Sequence, residues 1–287
     1  MSTDPDVQGW SRRRLLAMVA ALATTAVVLI ASLVYAIITA VSGHSTDSAI
    51  SSGSVEVVTF STDPAADPRG DQYRDRVAAA AMLSTDRDDL IEQPAATSVA
   101  TTVVVPPATS SGPAGVPTGF THTPEGAVGQ LAAIDTTVLT AMSTSLAADV
   151  LDAWSLPGAV SVDEWEMSAN IRAFHTQAGT TETDATVAAT AVPVAAQVKG
   201  VDGPDWVLAC VLYDVQAEIT TTARIGYGRC ERMQWADGRW MIGPGEPPAP
   251  APSTWPGSER SIQAGWHPWL DANDTNDPSD DVAGGEG

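Results

Sequence analysis

From Leu15 to Val41 the chain reads LLAMVAALATTAVVLIASLVYAIITAV, without a charge, a proline or a glycine. As a helix rising about 1.5 Å per residue, the run is roughly 40 Å long, enough to cross a hydrocarbon core of about 30 Å with some tilt. A buried core helix rarely stays apolar on every face for that length. A cleavable signal peptide has a shorter apolar region, about 7–15 residues. A lipoprotein would need a cysteine just after the run, and none stands there. The expectation is a permanent transmembrane helix over 15–41. Arg12, Arg13 and Arg14 directly precede it, and the next arginine is Arg69. The positive-inside bias therefore makes residues 1–14 a cytoplasmic tail and places everything after Val41 outside, in a single-pass cell-membrane topology.

The net charge of −21 bears on partners. Nucleic-acid binding neutralises phosphates with clustered Lys and Arg, so direct binding by the exterior is not expected. Most of the acid excess reads as solubility.

Composition divides the rest. Residues 42–118 read as a tether, with a short helix within 71–93 and a proline-bearing linker over 94–118. An extracytoplasmic domain follows over 119–246. Thr123 can cap a helix opening at Pro124, with Glu125 near its positive end. Ala127, Val128, Leu131, Ile134, Val138 and Met142 recur at helical spacing. Leu146, Val150, Leu151 and Trp154 mark a second helix. The box Ser161–Glu164 opens a third, which carries Trp165, Ile171 and Phe174 and stops at Gly179. After Ala185 the period changes to two, with strands expected at about 186–199, 206–219, 223–235 and 239–242. Helices before an antiparallel sheet signify a two-layer α+β domain. Residues 247–270 form a proline-rich strap whose Trp255, Trp266 and Trp269 dock back on the domain or wait for a partner. Residues 271–287 are acidic and expected to be disordered.

Cys210 and Cys230 are the only cysteines. Neither has metal-ligand or Cys-x-x-Cys spacing. Placed opposite each other on consecutive strands, they make 218 face 222 and leave a three-residue loop. Outside the membrane such a pair persists as a structural disulfide; the competing reading is two buried free thiols.

Other chemistry is sparse. His122, in GFTHTPEGA with Asp135 further along the helix, reads as a cap-loop residue rather than a catalyst. Asp163 and Glu164 read as capping acids. Arg69-Gly70-Asp71 matches an adhesion tripeptide and Asn273-Asp274-Thr275 a glycosylation sequon, both short patterns. No nucleophile elbow, P-loop or dinucleotide fingerprint occurs.

Two runs, PTGFTHTPEGAVGQLAAID and CERMQWADGRWMIGPGEPPAPAPSTWPGSERSIQAGW, resemble single-span membrane proteins of actinobacteria associated with integrative or conjugative elements. The resemblance covers roughly residues 71–270. It implies no enzyme activity, catalytic residue, cofactor or metal. More loosely, the chain is similar to inner-membrane scaffold subunits of conjugative secretion systems. That similarity implies a cystatin-like α+β cone, which the three helices and four-stranded antiparallel sheet read above fit independently. The leading expectation is a non-enzymatic, membrane-anchored assembly or accessory protein with protein partners. The runner-up is a small-molecule-binding or catalytic cone, and a third reading is adhesion or sensing. Convergent polar side chains inside the cone would favour the runner-up, and an apolar filled core the first.

Overall fold

The computed structural model describes residues 68–98, 100–182, 187–218 and 222–272. The run 15–41, Arg12, Arg13 and Arg14, and Asn273 onward lie outside these residues. Among the described residues no helix is long and apolar enough to cross a membrane. The longest helix, Pro124–Ala141, carries Glu125, Gln130 and Asp135. The expected single-pass anchor is corrected accordingly: nothing in the described structure corresponds to it.

Six α-helices occur among the described residues. The first two are α1 (Asp71–Ala79) and α2 (Arg87–Leu90), and they precede the main helix layer. That layer is α3 (Pro124–Ala141), α4 (Thr144–Trp154) and α5 (Glu166–Ala178). Thr123 caps α3 by accepting the Gly126 N–H at 3.1 Å, and Ser143 caps α4 by accepting that of Leu146 at 3.2 Å. Each removes one of the unpaired donors of a helix start. The Ser161–Glu164 pair does bond side chain to side chain, at 2.6 Å. It stabilises a turn, however, and α5 begins only at Glu166 with Trp165 as its N-cap.

Three long strands and a short fourth form an antiparallel meander: β4 (Ala188–Val201), β5 (Trp206–Glu218), β6 (Thr222–Ala236) and β7 (Arg239–Ile242). The register sets Cys210 opposite Cys230 and Glu218 opposite Thr222. The sheet does not stop there. β8 (His267–Asp271) pairs antiparallel with β4, and β1 (Val103–Val105) pairs parallel with β8. The strand order is β1-β8-β4-β5-β6-β7. A curled, six-stranded mixed sheet therefore replaces the expected four-stranded antiparallel cone.

The physical reasons are local. Val103–Val105 is too short to show a period and runs into Pro106-Pro107, so its sequence reads as linker. β8 contains Pro268, which lacks a ladder donor and suits only a short pairing. Its antiparallel partners are just Ala195 and Ala196. The curl has a cause in β4, whose register shifts between Pro193 and Ala195 and again between Val198 and Gly200. Each bulge bends the strand and increases its twist. A small two-stranded ladder, β2 (Ser110–Ser111) with β3 (Pro117–Thr118), lies in the stretch read as linker.

The two-layer expectation is also corrected, because both faces of the sheet are covered. β5 is buried without interruption from Trp206 to Tyr213. Val207, Ala209, Val211 and Tyr213 join the core shared with α3, α4 and α5. On the opposite face, Trp206 and Leu208 pack with Tyr73, Val77 and Ala78 of α1. Cys210, Leu212 and Cys230 pack there with Ala264 and Trp266, beyond the strap's short helix α6 (Glu259–Gln263). Such continuous burial is the mark of a strand enclosed on both sides.

Candidate functional site

Between the helix layer and the sheet lies a cluster of charge. Asp135 occupies the inward stripe of α3 with Leu131 and Val138, where an apolar residue would be expected. Tyr227, Arg229 and Glu231 alternate along β6, so all three project towards the helices. The Tyr213 hydroxyl donates to Asp135 Oδ2 at 2.9 Å, and Arg229 Nε donates to Oδ1 at 3.2 Å. Arg229 Nη2 donates to Glu231 Oε2 at 2.5 Å, and the Arg232 N–H donates to Oε1 at 3.2 Å. Glu166, at the start of α5, is a third carboxylate, 3.8 Å from Arg229 Nη1. The guanidinium carbon lies 5.2 Å from the ring centre of Trp165. Beside them Asn170 Nδ2 donates to the Tyr227 hydroxyl at 3.0 Å.

The electrostatics follow from exclusion of water. Asp135 and Tyr213 are 0% exposed, Arg229 2%, Tyr227 5% and Glu231 6%. Burial raises the Asp135 carboxyl to about 6 against the opposing pull of Arg229 and Tyr213, and Glu231 raises it further. Burial raises Glu231 as well, again against Arg229. Only Glu166, with its side chain 41% exposed, reaches solvent. The arrangement can hold a proton and lock three elements together. Asp135, Arg229 and Glu231 are paired with one another, and all three are buried.

An accessible concavity lies elsewhere. A groove of about 640 Å³ runs along the outer face of α3 and is lined by Phe120, Pro117, Ala133, Thr137, Pro193 and Trp269 among others. Gly129 shapes it: a Cβ there would come within 2.6 Å of the Phe120 ring, so only glycine lets Phe120 pack against the helix.

The residues singled out in the sequence fall as follows. Cys210 and Cys230 form a disulfide, with Cα atoms 4.0 Å apart. Trp266 is buried, at 1% exposure, and donates to the Pro252 carbonyl at 3.0 Å. Trp255 is half-buried, with the Arg224 guanidinium 5.0 Å from its ring centre. Trp269 is half-buried at the groove. The three indoles are thus not brought to one site. His122 does not meet Asp135; it stacks on Trp235 at 4.2 Å and contacts Asp205 at 2.9 Å. Arg69 donates to the Val201 carbonyl, and Gly70 is the N-cap of α1, so the adhesion tripeptide is built into a helix start. Asp163 offers its backbone carbonyl to Arg172 at 3.3 Å. Among the described residues no group of three or more His, Cys, Asp or Glu could hold a metal ion.

The charged cluster escapes a sequence reading that searches for motifs. Its one signal is an acid on an apolar helical stripe, together with two charges at period two in YGRCE.

No protein-family model matches the chain, and no curated protein or solved structure matches it.

Proposed function

We propose that this chain is a non-enzymatic assembly or accessory protein that works by binding another protein. The observation that carries the reading is the contrast between buried, mutually paired charges and an open groove poor in charge. The interior charges pair with each other out of reach of solvent, while the open groove along α3 is walled by proline, alanine, threonine and aromatic rings. Apolar walls with few charges suit contact with a protein segment better than acid–base chemistry. The resemblance of residues 71–270 to proteins of conjugative elements adds a setting, a conjugation or secretion apparatus.

The test is comparative co-purification of cross-linked partners with the natural chain, Ala133→Arg and Thr137→Arg, with folding checked by circular dichroism. Partners lost from both folded variants support the reading. A partner profile identical in all three sinks it.

The convergence of Asp135, Tyr213 and Arg229 meets the criterion set above for a second reading, a small-molecule-binding or catalytic interior. That reading requires the helix layer to open, since none of the three exceeds 2% exposure.

A further inference from the structure

We propose that the Asp135–Arg229–Glu231 cluster is a proton-operated lock between helix layer and sheet, tight when one carboxyl is protonated and looser when both are ionised. The argument starts from a charge count. One guanidinium faces two buried carboxylates, Asp135 from α3 at 3.2 Å and Glu231 from its own strand at 2.5 Å. The other groups turned towards it are Tyr213 from β5, Tyr227 from β6, and Glu166 and Trp165 at the start of α5. None of these adds positive charge. With both acids ionised, one negative charge is left without compensation where water does not reach, a costly state.

A proton taken from solvent removes that charge without breaking a contact. All four carboxylate oxygens of the pair accept a hydrogen bond in the ionised form. The Tyr213 hydroxyl can donate or accept, so its bond to Asp135 survives protonation by reversing direction. Because the two acids share one arginine, the proton belongs to the pair rather than to either residue. The placement of Asp135 at about 6 agrees with uptake under mildly acidic conditions.

The sign follows from linkage. The folded chain holds this proton between the ordinary carboxylate value, 3.8, and about 6, while the unfolded chain has released it. Folding therefore binds a proton, and the stability from this cluster falls as pH rises through that window.

Thermal unfolding of the purified full chain between pH 4.5 and 7.5 tests the lock, with Asp135→Asn as the permanently neutral variant. The melting temperature of the natural chain should fall across the range, and that of Asp135→Asn should fall distinctly less. Backbone amides of α3 and α5 should also lose hydrogen-exchange protection with rising pH in the natural chain alone. Parallel profiles for the two proteins would overturn the proposal. If Asp135→Asn does not fold, Glu231→Gln carries the same expectation. A carboxyl carbon NMR titration of the natural chain gives an independent decision: at least one Asp or Glu midpoint should stand above pH 5, and none there sinks the lock.

Discussion

The indole of Trp266 lies across the backbone of Gly228 and ends on the carbonyl of Pro252, to which its N–H donates at 3.0 Å. The strap is thereby clamped between a strand and a tryptophan of its own. Gly228 also donates its N–H to the Ser253 hydroxyl at 3.0 Å. A Cβ at Gly228 would lie 2.4 Å from the Pro252 oxygen, and one at Gly226 would lie 1.8 Å from that of Thr254. The two glycines of the β6 run IGYGR are therefore explained by a close backbone crossing.

Gly228→Val should displace the strap. Overpacking typically costs 1–3 kcal/mol, and here the obstacle is backbone, so a loss of about 3 kcal/mol is expected. Melting temperature should drop and tryptophan emission should shift to the red as Trp266 meets water. An unchanged melting curve would mean that the strap does not contribute to folding stability.

Removing the Cys210–Cys230 bridge by paired serine substitution should destabilise the domain without changing its strand register. The bridge closes a separation of 20 residues, and a loop of that order is worth roughly 3 kcal/mol in the chain-entropy model. Chemical denaturation of the natural and Cys210→Ser/Cys230→Ser chains measures the difference. Equal midpoints would show that the surrounding core, including Leu212 and Trp266, suffices alone.

Asp202 holds the start of α1 to the end of β4. Its carboxylate accepts from the Arg69 N–H at 2.5 Å, the Gly70 N–H at 3.1 Å and Arg74 Nε at 2.7 Å. Burial works to raise this carboxyl, yet the Arg69 N–H, the Arg74 side chain and the Gly70 N–H together bring it below its ordinary value of 3.8. A lowered carboxyl contributes stability that is fully present above the unfolded value and disappears as pH falls through the folded one. Asp202→Asn should cost about 1.5–3 kcal/mol at neutral pH, the scale of charged hydrogen bonds. Hydrogen exchange should locate the loss in α1, and the difference from the natural chain should vanish only below pH 3.8.

Lys199 is the only lysine in the sequence. From β4 it donates to the Ala78 and Ala80 carbonyls at the end of α1, as a cation at a helix C-terminus should. Burial lowers its ammonium from 10.5 to about 8. Between those values the unfolded chain binds the proton and the folded chain does not, so stability from this group rises with pH across that window. The melting temperature of the natural chain relative to Lys199→Met should climb from pH 8 to 10.5. A constant difference would place the ammonium in contact with solvent.

Where the governing contacts are close in sequence, they were legible. Thr123 and Gly179 mark helix ends because caps act within one turn. The Cys210–Cys230 register followed from a period of two and an allowed hairpin loop, both local quantities. Helical spacing along α3 gave the inward apolar stripe from Ala127 to Val138, but not that Asp135 is buried beside it. The expected membrane run rests on residues outside the described structure, and the described helices offer nothing like it.

Partners distant in the chain were left to the tertiary structure. Val103–Val105 becomes a strand only because Trp269–Asp271 is brought beside it, and β8 only because β4 offers Ala195 and Ala196. The strap could cover a second sheet face only where Gly226 and Gly228 leave room for it. Asp135 and Arg229 are 94 residues apart, and neither carries a local sign of the other. Sequence determined which segments had helical or strand period, since that depends on neighbours a few residues away. Tertiary structure decided which charges lost their water, because desolvation depends on every element that closes around them.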